Sequence, residues 1–191
     1  MAFVCSGAVV GCSSSSSPAT TVTVTATSTA SAAVTSTGAP TSTSTSPAGV
    51  AACATSALHV TQGPPNGYAG GVYQPIIFTN TSGTSCTLYG YPGVSLVSAP
   101  PYTQIGLAAK RSTTTPVKLI TLAPGGTASS MVQIVDAGNF SPDTCSPVKA
   151  AYLRVYPPNQ TVPVFLPNTS QTCSKPVPTL SVNAVQAGSG S

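Results

Sequence analysis

Residues 76–97, IIFTNTSGTSCTLYGYPGVSLV, decide the fold of this chain. Extended back to Tyr73, the run YQPIIFTN is β-branched or aromatic at most positions, with Tyr73, Ile77 and Thr79 on one face and Ile76, Phe78 and Asn80 on the other. This predicts a strand with at least one deeply buried face. Pro75 cannot donate to a ladder, which predicts a place at the strand's start or on a sheet edge. In Asn80-Thr81-Ser82-Gly83 short side chains bond their own backbone and a glycine accepts positive φ, so the chain turns. Cys86, Leu88 and Gly90 then alternate, Tyr91-Pro92-Gly93 turns the chain again, and Val94, Leu96 and Ser98 resume a period of two. The unit is strand, turn, short strand, corner, strand.

Composition narrows what such a unit can belong to. Charged residues make up 4% of the chain, against about 25% in an average soluble domain. All of the six basic and two acidic residues fall after residue 50, so the net charge of +4 belongs to the C-terminal part. Nucleic-acid binding is not expected, because phosphate recognition needs clustered cations and here only Lys110-Arg111 are adjacent. Six cysteines without a CxxC pair point away from zinc and toward an oxidising compartment. A single histidine, His59, further weakens the case for a metal cluster. No metal and no cofactor is expected.

The N-terminal dozen, MAFVCSGAVVGC, is apolar and small, and it ends in Val9-Val10-Gly11-Cys12. This is similar to a bacterial lipobox, which makes residues 1–11 the remnant of a signal peptide and Cys12 the residue that is lipidated and becomes the new N-terminus. The thiol supplies the thioether to lipid, and the small residue before it lets the peptidase reach the scissile bond. No Lys or Arg precedes the apolar run, and the run is short for a signal segment, so the true start is expected upstream of Met1. Cys5 would be discarded on processing. Residues 12–50 are then almost entirely Ser, Thr, Ala, Val and Pro, without charge or aromatic rings. Such a segment cannot bury enough apolar surface to offset its ordering entropy and reads as a disordered tether. As a coil of roughly 37 residues it would span about 30 to 35 Å.

Residues 51–191 are enough for one core. Strands are expected at 58–61, 73–80, 87–89, 94–97, 105–108, 117–122, 127–135, 151–156, 162–166 and 180–185, separated by turns rich in Pro, Gly, Asn and Ser. The best helical candidate is a single turn near 136–140. Many short strands at this spacing predict an all-β domain, an antiparallel β-sandwich with Ig-like topology. Its four cysteines, Cys53, Cys86, Cys145 and Cys173, allow three pairings. Cys53 with Cys86 and Cys145 with Cys173 is favoured, since each closes a loop of about 30 residues and would contribute about 3 to 4 kcal/mol. The rival, Cys53 with Cys173, would tie the two ends together.

Several of these segments taken together resemble one family. Phe78-Thr79-Asn80-Thr81-Ser82, Cys86-Thr87-Leu88, Gly90-Tyr91-Pro92-Gly93-Val94, Leu122-Ala123-Pro124-Gly125-Gly126-Thr127-Ala128, Cys145, Leu153-Arg154-Val155-Tyr156-Pro157-Pro158 and Cys173 are similar to the actinobacterial domain of unknown function 4232. The resemblance implies a secreted protein or lipoprotein of the mycobacterial type, with the domain following a low-complexity tether. It carries no activity with it. Read physically, the motifs make the fold: Pro124 presets φ in a turn where glycine takes the positive-φ place, and Pro157-Pro158 end a strand.

Candidate chemistry is sparse. A Ser-His-Asp triad would have to use His59 with Asp136 or Asp143, but His59 alternates with apolar neighbours and reads as a solvent-facing strand residue. Asp136 and Asp143 flank one loop, and Asp143 beside Pro142 reads as turn chemistry rather than half of a carboxylate pair. Met131 and His59 are the soft metal ligands besides the cysteines once Met1 is set aside with the segment expected to be removed. No catalytic residue is therefore assigned. Seven tyrosines without a Trp favour binding, because a tyrosine ring is apolar and its hydroxyl wet. Tyr68 and Tyr102, in the Gly- and Pro-rich stretches GPPNGYAGG and SAPPYTQIG, are the expected contacts. The expectation is a lipid-anchored binding module on the outer face of the cytoplasmic membrane, held there through Cys12 and meeting an envelope protein or glycan. An envelope hydrolase or carbohydrate-active enzyme is the alternative, and a structural cell-wall role a further one.

Overall fold

The computed structural model describes residues 49–190. The expectations for residues 1–11, for Cys12 and for the tether as far as residue 48 lie outside the described residues. In chain order the strands are β1 (Leu58–Gln62), β2 (Asn66–Tyr68), β3 (Gly71–Asn80), β4 (Cys86–Tyr89) and β5 (Gly93–Val97). Next come β6 (Gln104–Ile105), β7 (Lys110–Arg111), β8 (Leu119–Leu122), β9 (Thr127–Val135) and β10 (Pro147–Lys149). The last are β11 (Tyr152–Tyr156), β12 (Val164–Pro167), β13 (Gln171–Cys173), β14 (Leu180–Val182) and β15 (Gln186–Ala187). One α-helical turn, Pro142–Cys145, and short 3-10 turns at Thr55–Ala57 and Ala137–Asn139 complete the chain. The domain is thus mostly β and built in several sheets. Among the described residues no helix is long and apolar enough to cross a membrane.

Strand β3 is the axis of the largest sheet. It pairs antiparallel with β9 from Gly71↔Val135 to Thr79↔Thr127, while β1 and then β2 share its other edge. Beyond β9 the sheet continues through β14 to β7. A second sheet runs β12-β11-β5-β6, and two-stranded pairs form from β4 with β8 and from β10 with β13. Every strand pair is antiparallel except β7 against β14, so the expectation of a purely antiparallel arrangement is corrected there. The reason is the route. After β6 the chain leaves the second sheet and meets the far edge of the first, where it lies beside β14 without a hairpin to fix its direction.

The inward faces of both large sheets feed one apolar cluster. Ile76, Phe78, Val132 and Ile134 come from the first sheet, Val94, Leu96, Leu153 and Val155 from the second, and Cys86, Leu88, Ile120 and Leu122 from the β4–β8 pair. Period-two alternation produces this division on β3, where Ile76, Phe78 and Asn80 are fully buried and Tyr73 is exposed.

Pro75 departs from its expected place. It lies in the middle of β3, a strand paired on both edges, where a missing N–H would ordinarily break a ladder. Its carbonyl accepts from Gly63 N at 2.9 Å, so its nitrogen, on the same side of the strand, faces the seam where β1 has ended and β2 has not begun. Gln74 fills that seam, donating from Nε2 to Gly63 O at 2.7 Å. A central proline is tolerated because its ladder partner is absent at that one register position.

The disulfides pair Cys53 with Cys86 and Cys145 with Cys173, the favoured combination and not the end-to-end rival. The first lies in the main core, and the second builds a small satellite core with Ala137, packed on by Phe140 and Val177. Other expectations shift by a few residues. The strand foreseen at 105–108 is Gln104–Ile105, the one at 117–122 begins at Leu119, that at 162–166 begins at Val164, and that at 180–185 stops at Val182. Val117 and Val162, which looked strand-like, are exposed and lie outside any strand. The single turn foreseen near 136–140 is the 3-10 turn Ala137–Asn139, with the Asp136 carboxylate accepting from Gly138 N at 2.8 Å.

Candidate functional site

The outer face of the second sheet departs from what its sequence pattern predicts. Strand β11, Tyr-Leu-Arg-Val-Tyr, buries Leu153 and Val155 completely and turns Tyr152, Arg154 and Tyr156 outward. By register Tyr152 lies opposite Val97, Arg154 opposite Ser95 and Tyr156 opposite Gly93 on one flank, and Arg154 opposite Phe165 on the other. An outward valine and serine ought to be open to water. Yet Val97 is 0% exposed and Ser95 3% exposed. Something covers them, and the neighbouring side chains supply the cover.

Part of the cover comes from the loop before β6. Ser98 N donates to Thr103 O at 2.9 Å and Thr103 N to Ser98 Oγ at 3.1 Å, closing the loop, while Tyr102 sits at its tip with φ 61°. A bulky side chain in that left-handed region costs about 1–3 kcal/mol, which its surroundings must offset. Stacking does so. The Tyr102 ring lies on Phe165 with centroids 4.0 Å apart and planes 21° apart, and meets the edge of Tyr152 at 5.6 Å. Tyr102 is thus an exposed-loop residue whose ring is seated on a strand.

Arg154 is fixed just as tightly. Its Nε donates to Ser95 Oγ at 3.2 Å and its Nη2 to Gln104 Oε1 at 2.6 Å, with the guanidinium carbon 5.7 Å from the Tyr156 ring centroid. Both acceptors are neutral, so no carboxylate among the described residues cancels its charge. Of the five N–H donors of a guanidinium, three remain for a ligand.

Tyr68 sits on the other large sheet. It belongs to β2, not to a loop as its Gly- and Pro-rich context predicted, because β3 offers it an open edge. Its ring centroid is 4.6 Å from that of Tyr73, and its hydroxyl accepts from Gln133 Nε2 at 3.0 Å. Gln133 Oε1 in turn accepts from Ser181 Oγ at 3.1 Å. Beside this chain lies a concavity of about 600 Å³ lined in part by Tyr68, Gly71, Ile134, Asp136 and Asn139. Gly71 is required there, since a Cβ would collide with the Ile134 carbonyl oxygen and approach the Tyr68 hydroxyl oxygen to 2.7 Å. The two tyrosines singled out together therefore stand apart, Tyr68 on a strand of the first sheet and Tyr102 on a loop of the second, each in its own aromatic group.

The candidates for chemistry stay apart in role. His59 is exposed on β1. Asp136 caps a 3-10 turn, and Asp143 lies in the α-helical turn, where its main-chain carbonyl accepts from Lys175 Nζ. Among the described residues no three His, Cys, Asp or Glu side chains gather as a metal site would need. Sequence reasoning missed Tyr152, Arg154, Tyr156, Phe165, Ser95 and Gln104. A visible mark was the period-two pattern Tyr-x-Arg-x-Tyr threaded between Leu153 and Val155, which assigns those three side chains to one outer face.

Residues 53–186 match the model of a family described as a domain of unknown function, DUF4232. No curated protein and no solved structure matches the chain.

Proposed function

The chain belongs to the DUF4232 family, and from that premise we propose a lipid-anchored envelope protein whose Ig-like β-sandwich is a binding module on the outer face of the cytoplasmic membrane. The observation that carries the binding role is the outer face of the β12-β11-β5-β6 sheet. There Tyr102 packs on Phe165 and Tyr152, and next to them on the same strand row a guanidinium held by neutral partners lies over Tyr156. Rings locked by packing before a ligand arrives lose little entropy on binding it. The strain accepted at Tyr102 is of the kind that collects at working surfaces.

The two disulfides support an oxidising, extracytoplasmic setting. The shared core of the two large sheets supports the sandwich. Val9-Val10-Gly11-Cys12 before a Ser- and Thr-rich run supports the anchor, and two or more acyl chains there would hold stably where one would not. Cys12→Ala is expected to shift the full chain out of the membrane fraction and to remove the added acyl mass. If the variant stays in the membrane fraction at the same mass, anchoring at Cys12 is wrong.

The binding role has its own test. Tyr102→Ala with Tyr152→Ala is expected to weaken binding of the purified chain to isolated cell-wall preparations at least tenfold, while the far-ultraviolet dichroism stays unchanged. Equal binding by the variant would move the working surface elsewhere.

A further inference from the structure

We propose that this face recognises an acidic glycan, a saccharide carrying a ring carboxylate, through Tyr102 and Arg154. The proposal rests on the reading of this face as the module's binding surface and names the ligand class that it takes.

Three features converge on that chemistry. First, Tyr102 lies nearly parallel on Phe165 and edge-on to Tyr152, so three rings form one half-buried aromatic platform. An aromatic face carries partial negative charge and attracts the slightly positive C–H groups of a pyranose ring. Second, Arg154 lies two residues from Tyr152 on the same outward row, and its guanidinium is pinned by Ser95 and Gln104. A planar guanidinium with free N–H groups pairs bidentately with a carboxylate, and the pairing is stronger where no protein anion competes. Third, the whole chain has six Lys and Arg against two Asp and no Glu, so a polyanionic ligand meets little repulsion.

A peptide fits less well. Peptide anchors fill pockets with side chains, whereas Tyr152, Arg154 and Phe165 are presented from the outward rows of adjacent strands, with Tyr102 laid on Phe165 from the loop. Nucleic acid is disfavoured because the remaining cations, Lys110, Arg111, Lys118, Lys149 and Lys175, are not gathered beside Arg154 on its strand.

The test is a titration of the full chain, followed by nuclear magnetic resonance, with trigalacturonate and with its fully methyl-esterified form. Acetate at matched carboxylate concentration and a tetra-aspartate peptide serve as further arms. Trigalacturonate is expected to shift the resonances of Tyr102, Tyr152, Arg154 and Gln104 and to bind at least tenfold more tightly than its ester. Arg154→Gln should bring the two within about twofold, and Arg154→Lys, which keeps the charge without the fork, should recover only part of the difference. Tyr102→Ala should weaken acid and ester alike. Unfolding curves for each variant separate loss of recognition from loss of fold.

Equal affinity for acid and ester would overturn the acidic assignment while leaving the face as a binding surface. Displacement by acetate alone, or equally tight binding of tetra-aspartate, would overturn the saccharide. Absence of any shift at this face would overturn the proposal outright; if Tyr102→Ala still loses cell-wall binding, the module reading survives that result.

Discussion

Replacing Cys53 and Cys86 together by alanine is expected to lower the unfolding free energy by about 4 kcal/mol and the melting temperature by about 10–15 °C. The bond spans 33 residues, and releasing a loop of that length returns about 3.8 kcal/mol of chain entropy to the unfolded state. Its location adds to the effect. Both cysteines lie in the main core, and the segment leading to Cys53 is laced to β4 by Cys53 N donating to Thr87 O at 2.9 Å and Thr87 N donating to Ala51 O at 2.8 Å. Without the bond the start of the domain is held to β4 by these two hydrogen bonds and by the Thr87 hydroxyl, which donates to Ala51 O at 3.2 Å.

The bond between Cys145 and Cys173 closes a loop of similar length, 28 residues, but sits in the satellite core. Its removal is expected to expose the amides of residues 137–150 and 171–177 to hydrogen exchange well before global unfolding, with a smaller fall in melting temperature. Chemical denaturation and hydrogen exchange of the two double variants check both statements. If the two variants lose the same stability and open the same amides, the division into a main and a satellite core is wrong.

The long elements were legible because their own residues determine them. Strands β3 and β9 carry enough β-branched and alternating positions to be read without a partner. Short ones were not. β2, β7, β10, β13 and β15 run two or three residues each, too few for a period; β2, β7 and β15 exist because a longer strand offers an open edge, and β10 and β13 pair with each other beside the Cys145–Cys173 bond. The disulfide pairing was within reach of loop length, which depends on spacing alone. The candidate face was only half legible. Tyr102 stood out from its loop chemistry, but its seat on Phe165 joins residues 63 positions apart, and no local pattern records such a meeting. The same reason explains Ser95 and Val97, whose burial on an outer face comes from side chains of other elements.

Asn80 shows the boundary between the two kinds of information within a single side chain, and its replacement is the second large effect. Its Oδ1 accepts from Ser82 N at 3.0 Å and from Ser82 Oγ at 2.7 Å, the local turn that its sequence context announces. Its Nδ2 turns the other way, donating to Thr84 O at 2.8 Å, Leu122 O at 3.0 Å and Ala123 O at 3.3 Å, the last two more than forty residues away. The side chain is completely buried. One amide therefore holds the turn after β3 against the turn between β8 and β9, while its main chain exchanges bonds with Gly125 and Gly126.

Asn80→Ala is expected to cost about 3–4 kcal/mol, because it removes a fully buried donor and leaves the buried Leu122 carbonyl and the part-buried Thr84 and Ala123 carbonyls without it. Asn80→Asp keeps the shape and the Ser82 bonds but aims a second acceptor at three carbonyls. Burial and those carbonyl dipoles raise the folded-state pKa of the introduced carboxyl above its unfolded value. At pH below the unfolded value both states are protonated and the penalty is smallest; as pH rises from there toward the folded value, the unfolded state ionises first and stability falls. Urea unfolding of Asn80→Asp between pH 3 and pH 8, set against the parent chain over the same range, should show that growing deficit. A constant difference would mean that the amide nitrogen, and with it the long-range half of the network, contributes little to holding the two turns together.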